Sequence, residues 1–499
     1  GSGVSNAGIQ LTTSATITAG GGNISLTGTG GGGAASNTNR GLQLQNSGVI
    51  AATGNGTVTL IGIGGGGTGN SHGTRIVQNA SVTAVNGNIS ITGSVMDGTT
   101  ASQGFTLSNA AAVGAKVETS GSAAITVAAD TMDISTSGVT VNAGSNTVTL
   151  RQKTNAVAIN LGSAVDTTPS TLELAQGELN VITAGTVQIG DANSGAISIS
   201  AIISPANYRT LGIGNNVSFS GTGGFSSDIG PTAADIEKIT VSGTVTIAPA
   251  AQLTLAATGG FVPVNGQSFP IITNDLADAI SGTFFAYSEG GSIPAFLGSG
   301  ITAQVTYLGG TGNDLVILTN RPPVPGVVTA SRYPTQPVKL PVAQILAVAT
   351  DPDLGDTISL LSVANGANGT AQIAGGYVIY TPTGNFPISH TFTYVLQDNH
   401  GATATGTVTV NVLTDNAPTN NITKFTKIAG SPAVVDFVGI PGFTYGVQYK
   451  LALADPTWLD IGPLTMNAFG AAQFTDNGPG SAPRTAAASG FYRFIYPAP

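Results

Sequence analysis

Four tetrapeptides set a period along the first quarter of this chain. Gly8-Ile-Gln-Leu, Gly41-Leu-Gln-Leu, Gly73-Thr-Arg-Ile and Gly104-Phe-Thr-Leu fall at steps of 33, 32 and 31 residues. A second short alternating segment follows each: SATITA, SGVIAA, ASVTAV and AAVGAK. A third recurs as NISLTG (23–28), TVTLIG (57–62) and NISITG (88–93). Alternation with period two puts Ile24 and Leu26 on one face and Ser25 and Thr27 on the other. Three short strands in each ~32-residue repeat predict a parallel β-helix, in which every coil hydrogen-bonds to the next.

Composition agrees with strands and turns and removes several function classes. The 499 residues include 71 Gly and 25 Pro, no Cys, and only 8% charged residues, with a net charge of −9. An average globular chain has roughly 7% Gly and about 25% charged residues. Fifteen Lys and Arg are too few for an electrostatic nucleic-acid binder. Without Cys there is no disulfide framework, thiolate metal site or cysteine nucleophile. A hydrophobic content of 41% argues against a disordered acidic chain. No run approaches the ~18 apolar residues of a transmembrane helix. The opening GSGVSNAG has neither Met nor a basic n-region, which leads us to expect a processed chain or a piece of a longer one.

Aromatic residues mark the first internal change. Of 17 Phe, 11 Tyr and one Trp, only Phe105 precedes Tyr208. Such a segment cannot build a thick core, but it can stack Val, Ile, Leu and Ala in narrow ladders. From about 250 new aromatics enter (Phe261, Phe269, Phe284, Phe285, Tyr287, Phe296, Tyr307), as terminal coils covering an open edge would require. NRPPVPG (320–326) reads as a proline-rich linker. Residues 327–415 carry TISLLSV, YVIYTP, HTFTYVLQ and TGTVTVNV between turn signals, the pattern of a β-sandwich. After TDNAPTNN (414–421), residues 416–499 read as another small sandwich, with Trp458, Phe443, Tyr445, Tyr449, Phe474, Phe491 and Tyr492 in its core. The expected fold is all-β: a parallel β-helix over 1–319 followed by two β-sandwich domains.

These segments resemble known groups. GLQLQNSGVIAATGNGTVTLIGIGGGG (41–67) and ELNVITAGTVQIGDANSGAISISAIISP (178–205) are similar to filamentous-haemagglutinin-type β-helix repeats of secreted bacterial surface proteins, a resemblance spanning about residues 1–320. GQSFPIITNDLADAISGTFFAYSEGGSI and ITAQVTYLGGTGNDLVILT resemble the terminal coils of autotransporter-associated repeats. ATDPDLGDTISL through TGTVTVNV resembles cadherin-like, immunoglobulin-like modules of bacterial adhesins. The last segment looks like a small C-terminal sandwich of large bacterial extracellular proteins. Together they imply an extracellular location on a bacterial surface.

Candidate chemistry is sparse. Asp351-Pro-Asp353-Leu-Gly-Asp356, with Asp398 in QDNHG, places hard oxygen ligands on turns and could take Ca²⁺, which wants six to eight oxygens. The same turn can also be a solvated one in which Asp caps its own backbone. GGTGNDLVI (309–317) is like one calcium-binding nonapeptide, but such sites need tandem copies, so we read it as structural. Enzymatic cleavage of polysaccharide needs paired carboxylates about 5–9.5 Å apart. Asp97, Glu118, Asp130 and Asp133 are isolated in the sequence, as are Arg40, Arg75 and Lys116. Arg40 and Arg75 are expected to solvate the loop face, and His72, His390 and His400 are too scattered for a metal site or triad. The tetraglycines at 30–33 and 64–67 lack the Gly-Lys-Ser/Thr of a phosphate loop.

The expected function is therefore non-catalytic: a structural subunit that self-assembles head-to-tail into an extracellular filament or surface layer. One rival is a monomeric adhesin gripping glycan or host protein through the Gly-rich inserts at 28–40, 63–72 and 94–103. The other is a β-helix polysaccharide lyase or hydrolase.

Overall fold

Residues 5–32, 38–67, 69–96, 102–109, 114–163, 170–275, 278–332, 337–353, 355–383, 388–413, 422–428, 430–440, 442–467, 470–478, 490–496 and 498 are described by a computed structural model. Strand accounts for 53% and helix for 3%, so the protein is all-β. The chain divides into two compact units, Gly1–Asn320 and Arg321–Pro499.

In the first unit, short strands come in threes. They are β1 (Ser5–Leu11), β2 (Thr16–Ala19) and β3 (Ile24–Thr29); β4 (Thr38–Leu44), β5 (Val49–Ala52) and β6 (Val58–Gly64); and β7 (His72–Val77), β8 (Ser81–Ala84) and β9 (Ile89–Val95). Then follow β10 (Gln103–Ser108), β11 (Lys116–Thr119), β12 (Ile125–Ala128), β13 (Met132–Ile134), β14 (Thr140–Asn142) and β15 (Thr147–Arg151). Each strand pairs with the strand three places on, giving sheets ordered β1-β4-β7-β10-β13, β2-β5-β8-β11-β14 and β3-β6-β9-β12-β15. Every one of these pairings is parallel. AAVGAK lies partly outside the described residues, and the strand at that phase is β11, slightly later in the chain.

Register converts this pairing into a core. Ile24, Val58, Ile89, Ile125, Val148, Val187, Leu211, Ile239 and Ile272 stand in one unbroken column. All are buried, whereas Ser25, Thr59, Ser90, Thr126 and Thr149 form the adjacent outward row. Burying each such aliphatic side chain contributes about 1.5–3 kcal/mol. A one-residue slip would turn the whole column out to water, so the register is strongly held.

The periodic glycines serve the contact between sheets. Gly28, Gly62 and Gly93 are register partners along the third sheet. A Cβ on each would sit 2.2 Å from Gly41 O, 2.1 Å from Gly73 O and 1.8 Å from Gly104 O, respectively. The two backbones therefore touch without side chains between them, and only Gly fits. At the next corner the chain turns through consecutive left-handed residues: Thr13-Ser14, Asn46-Ser47 and Gln78-Asn79, with φ between 49° and 64°. Ser14 N–H donates to Asn46 O and Ser47 N–H to Gln78 O, both at 2.9 Å, so the strained turns also stack.

Parallel pairing gives way to antiparallel pairing near the end of the unit. Ser268–Asn274 joins Asp314–Thr319, which pairs with Ala303–Gly309. Phe269, Phe284, Phe296 and Tyr307 are buried here, with Phe219 and Phe284 in edge contact at 4.9 Å. Phe285 is not part of that cluster and is 61% exposed.

The second unit contains two sandwiches. One has a sheet of Val328–Arg332, Thr403–Val412, His390–Asp398 and Ile358–Ala364, and a facing sheet of Val338–Pro341, Tyr377–Pro382 and Gly369–Ala374. Tyr380, Phe392, Tyr394, Leu396 and Val408 fill it. Residues of the proline-rich stretch are tied to this module: Val324 exchanges both backbone hydrogen bonds with Thr350, at 2.7 and 3.1 Å. The other sandwich has Ile422–Thr426, Ala433–Val438 and Ala471–Asp476 against Leu459–Thr465, Thr444–Lys450 and Phe491–Ile495. Phe437 and Tyr445 both stack on Phe494, at 4.0 and 4.7 Å. Trp458 is not in this core. It lies half-buried, with Lys450 Nζ 5.0 Å and Arg493 Cζ 4.4 Å from its ring, so two cations face the indole. The TDNAPTNN segment lies outside the described residues.

The glycine contact is testable. Replacing Gly62 by Ala should lower the thermal midpoint of the first unit, at a cost on the order of 1–3 kcal/mol from overpacking. Gly66→Ala, where a Cβ would meet nothing within 4 Å, should leave it unchanged. Equal midpoints, read by circular dichroism, would refute the close-contact account.

Candidate metal centre

Three of the four acidic residues singled out from the sequence come together. One carboxylate oxygen each from Asp351, Asp356 and Asp398 lies within 4.8 Å of the others. The turn at 351–356 supplies two, and the end of the long strand His390–Asp398 supplies the third. Leu354, inside that turn, lies outside the described residues. Asp398 Oδ1 accepts from His400 N–H at 2.9 Å and Ala402 N–H at 3.0 Å, which closes its own turn. Asp351 Oδ1 accepts from Asp353 N–H at 2.9 Å, while its Oδ2 is buried without a hydrogen-bond partner. Burial pushes the Asp351 carboxyl above its usual range; Asp353 N–H opposes this, and the charges of Asp356, Asp353 and Asp398 add to it.

Asp353 is not in the cluster. It is 4% exposed, and its two oxygens accept from Arg321 Nε at 2.8 Å and Arg321 backbone N–H at 2.6 Å. Its carboxylate faces Arg321 and not the other three acidic groups. His400 borders the cluster through one of its members: Nδ1 lies 3.1 Å from Asp356 Oδ2. Sequence reasoning missed that histidine, although QDNHG puts it two residues after Asp398; its partner Asp356 is 44 residues earlier. The cluster thus has both features foreseen for the turn: backbone capping and a convergence of carboxylate oxygens, the donor type a hard cation takes.

Other singled-out residues are occupied locally. Asp314 Oδ1 accepts from Asn274 N–H at 2.8 Å, and Asn313 Nδ2 donates to Asp275 O at 3.0 Å, so the GGTGNDLVI segment pins one strand to another. Glu118 pairs with Lys116 at 2.8 Å, and Asp130 caps Lys153 and Thr154 at 2.9 and 2.8 Å. Asp97 lies outside the described residues. A grouping that sequence reasoning did not find surrounds Glu237. That side chain is 5% exposed, accepts from Arg209 Nη1 at 3.1 Å and Asp228 N–H at 3.2 Å, and its carboxyl is pushed up chiefly by burial. It joins segments 28 residues apart, a separation no local motif signals.

His390 is buried in the first sandwich. Arg332 Nη2 is 2.6 Å from its Nε2, and arginine can only donate, so Nε2 must accept and Nδ1 must carry the proton. The Asn368 amide lies against that Nδ1, with its Nδ2 at 3.1 Å, and accepts from the N–H once its oxygen and nitrogen are exchanged, two orientations of nearly the same shape. Burial and then the Arg332 charge push the imidazole pKa down.

Comparison with known proteins agrees with the shape of this module. Residues 320–411 match the family described as bacterial Ig domain. No curated protein matches the chain. The protein is thus all-β with a bacterial immunoglobulin-like domain, and among the described residues no helix is long and apolar enough to cross a membrane.

The sign of the His390 effect follows from linkage. A lowered folded pKa means the unfolded chain binds the proton first, so the stability His390 contributes is present above the ordinary histidine value of about 6.5 and is lost as pH falls through the folded value. Between pH 7 and pH 5 the Ig-like module should lose more stability in the parent than in His390→Gln, as measured by urea midpoints. Parallel pH profiles would contradict this.

Proposed function

We propose that this is a non-catalytic structural subunit of an extracellular bacterial surface assembly, in which residues 5–274 wind as a parallel β-helix and copies stack coil on coil. One observation carries the reading. Strands β1, β2 and β3 each end their sheet, so all three are paired on one side only. Ile9, Ile17 and Leu26 are only partly buried there, whereas their register partners Leu42, Ile50 and Leu60 are 0% exposed. Backbone edges and aliphatic columns therefore stop together at one surface, and its complement is another coil with the same register, supplied by a second copy or by chain upstream of residue 5. A head-to-tail contact of this kind that does not close produces a filament. Low charge limits repulsion between copies. Bacterial Ig-like domains typically occur in extracellular or surface proteins, which supports the location.

Purified protein should form concentration-dependent rods under the electron microscope. Ile17→Lys, which puts a charge in the open column, should reduce them to single particles without lowering the melting temperature of the unit. Monodisperse particles of the parent at every concentration would overturn the proposal.

For the acidic cluster the proposed occupant is calcium, held by Asp351, Asp356 and Asp398. Millimolar calcium should raise the melting midpoint of the Ig-like module above its value in chelator, and Asp356→Asn should abolish the difference. Identical midpoints in the parent would leave the cluster as a capped turn.

A further inference from the structure

We propose that the first sheet carries a binding site for an acidic sugar, with Arg40 and Arg75 taking the carboxylate of a uronic acid residue and Asp133 accepting from its hydroxyls. The proposal is independent of coil stacking, because none of these residues belongs to β1, β2 or β3.

Register brings the residues together. Gln10, Gln43, Arg75, Thr106 and Asp133 form one row across β1, β4, β7, β10 and β13. Arg40, His72 and Gln103 form a second row, three residues nearer the strand starts. Arg40 and Arg75 stand on adjacent strands three residues out of register, and Arg40 reaches along its own strand to Gln43, the register partner of Arg75, so both guanidiniums border one area. Two hydrogen bonds knit the rows: Arg40 Nη1 donates to Gln43 Oε1 at 2.8 Å, and Thr106 Oγ1 lies 2.9 Å from His72 Nδ1.

This area has unused hydrogen-bonding capacity. Arg40 Nε, Ser71 Oγ and Gln103 Oε1 are all buried with no hydrogen-bond partner. A buried polar atom left unpaired costs about 1–3 kcal/mol, so three in one place are not a neutral feature of packing. Among the described residues, neither Arg40 nor Arg75 has a carboxylate within 4 Å, although Arg151, Arg209 and Arg321 each do. Both are partly exposed, and Asp133 is open to solvent beside Thr106.

The mixture of groups selects the ligand class. A guanidinium presents a planar fork that matches a carboxylate. Two of them beside an acceptor carboxylate suit a molecule that carries one negative charge and neighbouring hydroxyls. Asp133 would repel a polyphosphate backbone and would gain nothing from a bare anion. His72 stays neutral, its pKa pushed down to about 4 by burial and then by the Arg75 and Arg40 charges; Nδ1 is engaged by Thr106, which leaves Nε2 as the ring atom for a ligand hydroxyl.

The test is calorimetric titration of the full chain with oligogalacturonate, a neutral malto-oligosaccharide, a heparin oligosaccharide and sodium acetate. Oligogalacturonate should bind and the neutral sugar should not. Arg75→Gln or Arg40→Gln should weaken binding about tenfold or more, a loss of at least 1.4 kcal/mol. Asp133→Asn should weaken the uronate and leave acetate unchanged. Because an arginine variant could misfold, the parent is also followed by nuclear magnetic resonance: bound uronate should raise the His72 pKa, since it neutralises the two guanidiniums. No binding by the parent, unchanged binding in correctly folded variants, a fixed His72 titration, acetate matching the sugar, or heparin outcompeting uronate would each overturn the assignment.

Discussion

The in-register hydrogen bond between parallel strands of successive repeats is the interaction on which the first unit depends. A strand of four residues such as Thr16–Ala19 has no stability alone. It becomes stable only because Val49–Ala52 continues the same sheet, and Ser81–Ala84 continues it again. Each added repeat brings three such pairings and one more layer to every aliphatic column. Contacts between paired neighbouring strands then supply much of the stability of this unit. The scarcity of aromatics follows, because narrow columns of Ile, Val and Leu at strand spacing admit few rings: Phe105, Phe219 and Phe225 are buried within the parallel pairing, and aromatics gather only where it ends near Phe269 and Phe284.

Glycine and low charge are consequences of the same geometry. The Gly28–Gly41, Gly62–Gly73 and Gly93–Gly104 contacts bring two backbones closer than any side chain allows. The steps of 32 and 31 residues from Gly41 to Gly73 to Gly104 are the distances between these contacts along the chain. Outward rows of Ser and Thr suit flat stacked strands, where like charges directly opposite one another would repel at every step. A charge retained on such a wall needs a local reason, and most of the carboxylates there have one in a cap or an ion pair.

Much of the fold was legible because its signals are periodic. The three strand segments per repeat, the inward and outward faces of Ile24 to Thr27, and the four long strands of the Ig-like module could be read from alternation alone. What escaped was determined by contacts without local sequence signature. The left-handed pairs Asn46-Ser47 and Gln78-Asn79 use no glycine, so turn chemistry did not announce them. Trp458 reads as core by residue type, yet the stacked Phe437, Phe494 and Tyr445 already fill that core. At the acidic turn, spacing pointed to Asp351, Asp356 and Asp398, but it could not separate them from Asp353, whose partner Arg321 is 32 residues earlier.

Arg40 and Arg75 mark the same limit from the other direction. Along the sequence they are two isolated cations in Gly-rich surroundings, and solvated loop residues is the simplest account of them. Register changes that account, because a step of 32 residues is one strand spacing in space. Gln43 and Arg75 become neighbours, Arg40 stands beside His72, and buried polar atoms without partners collect between them. In a chain built by stacking, proximity is read modulo the repeat. Chemistry that is diluted along the sequence can be concentrated on one wall, and a low charged fraction does not by itself make the surface inert.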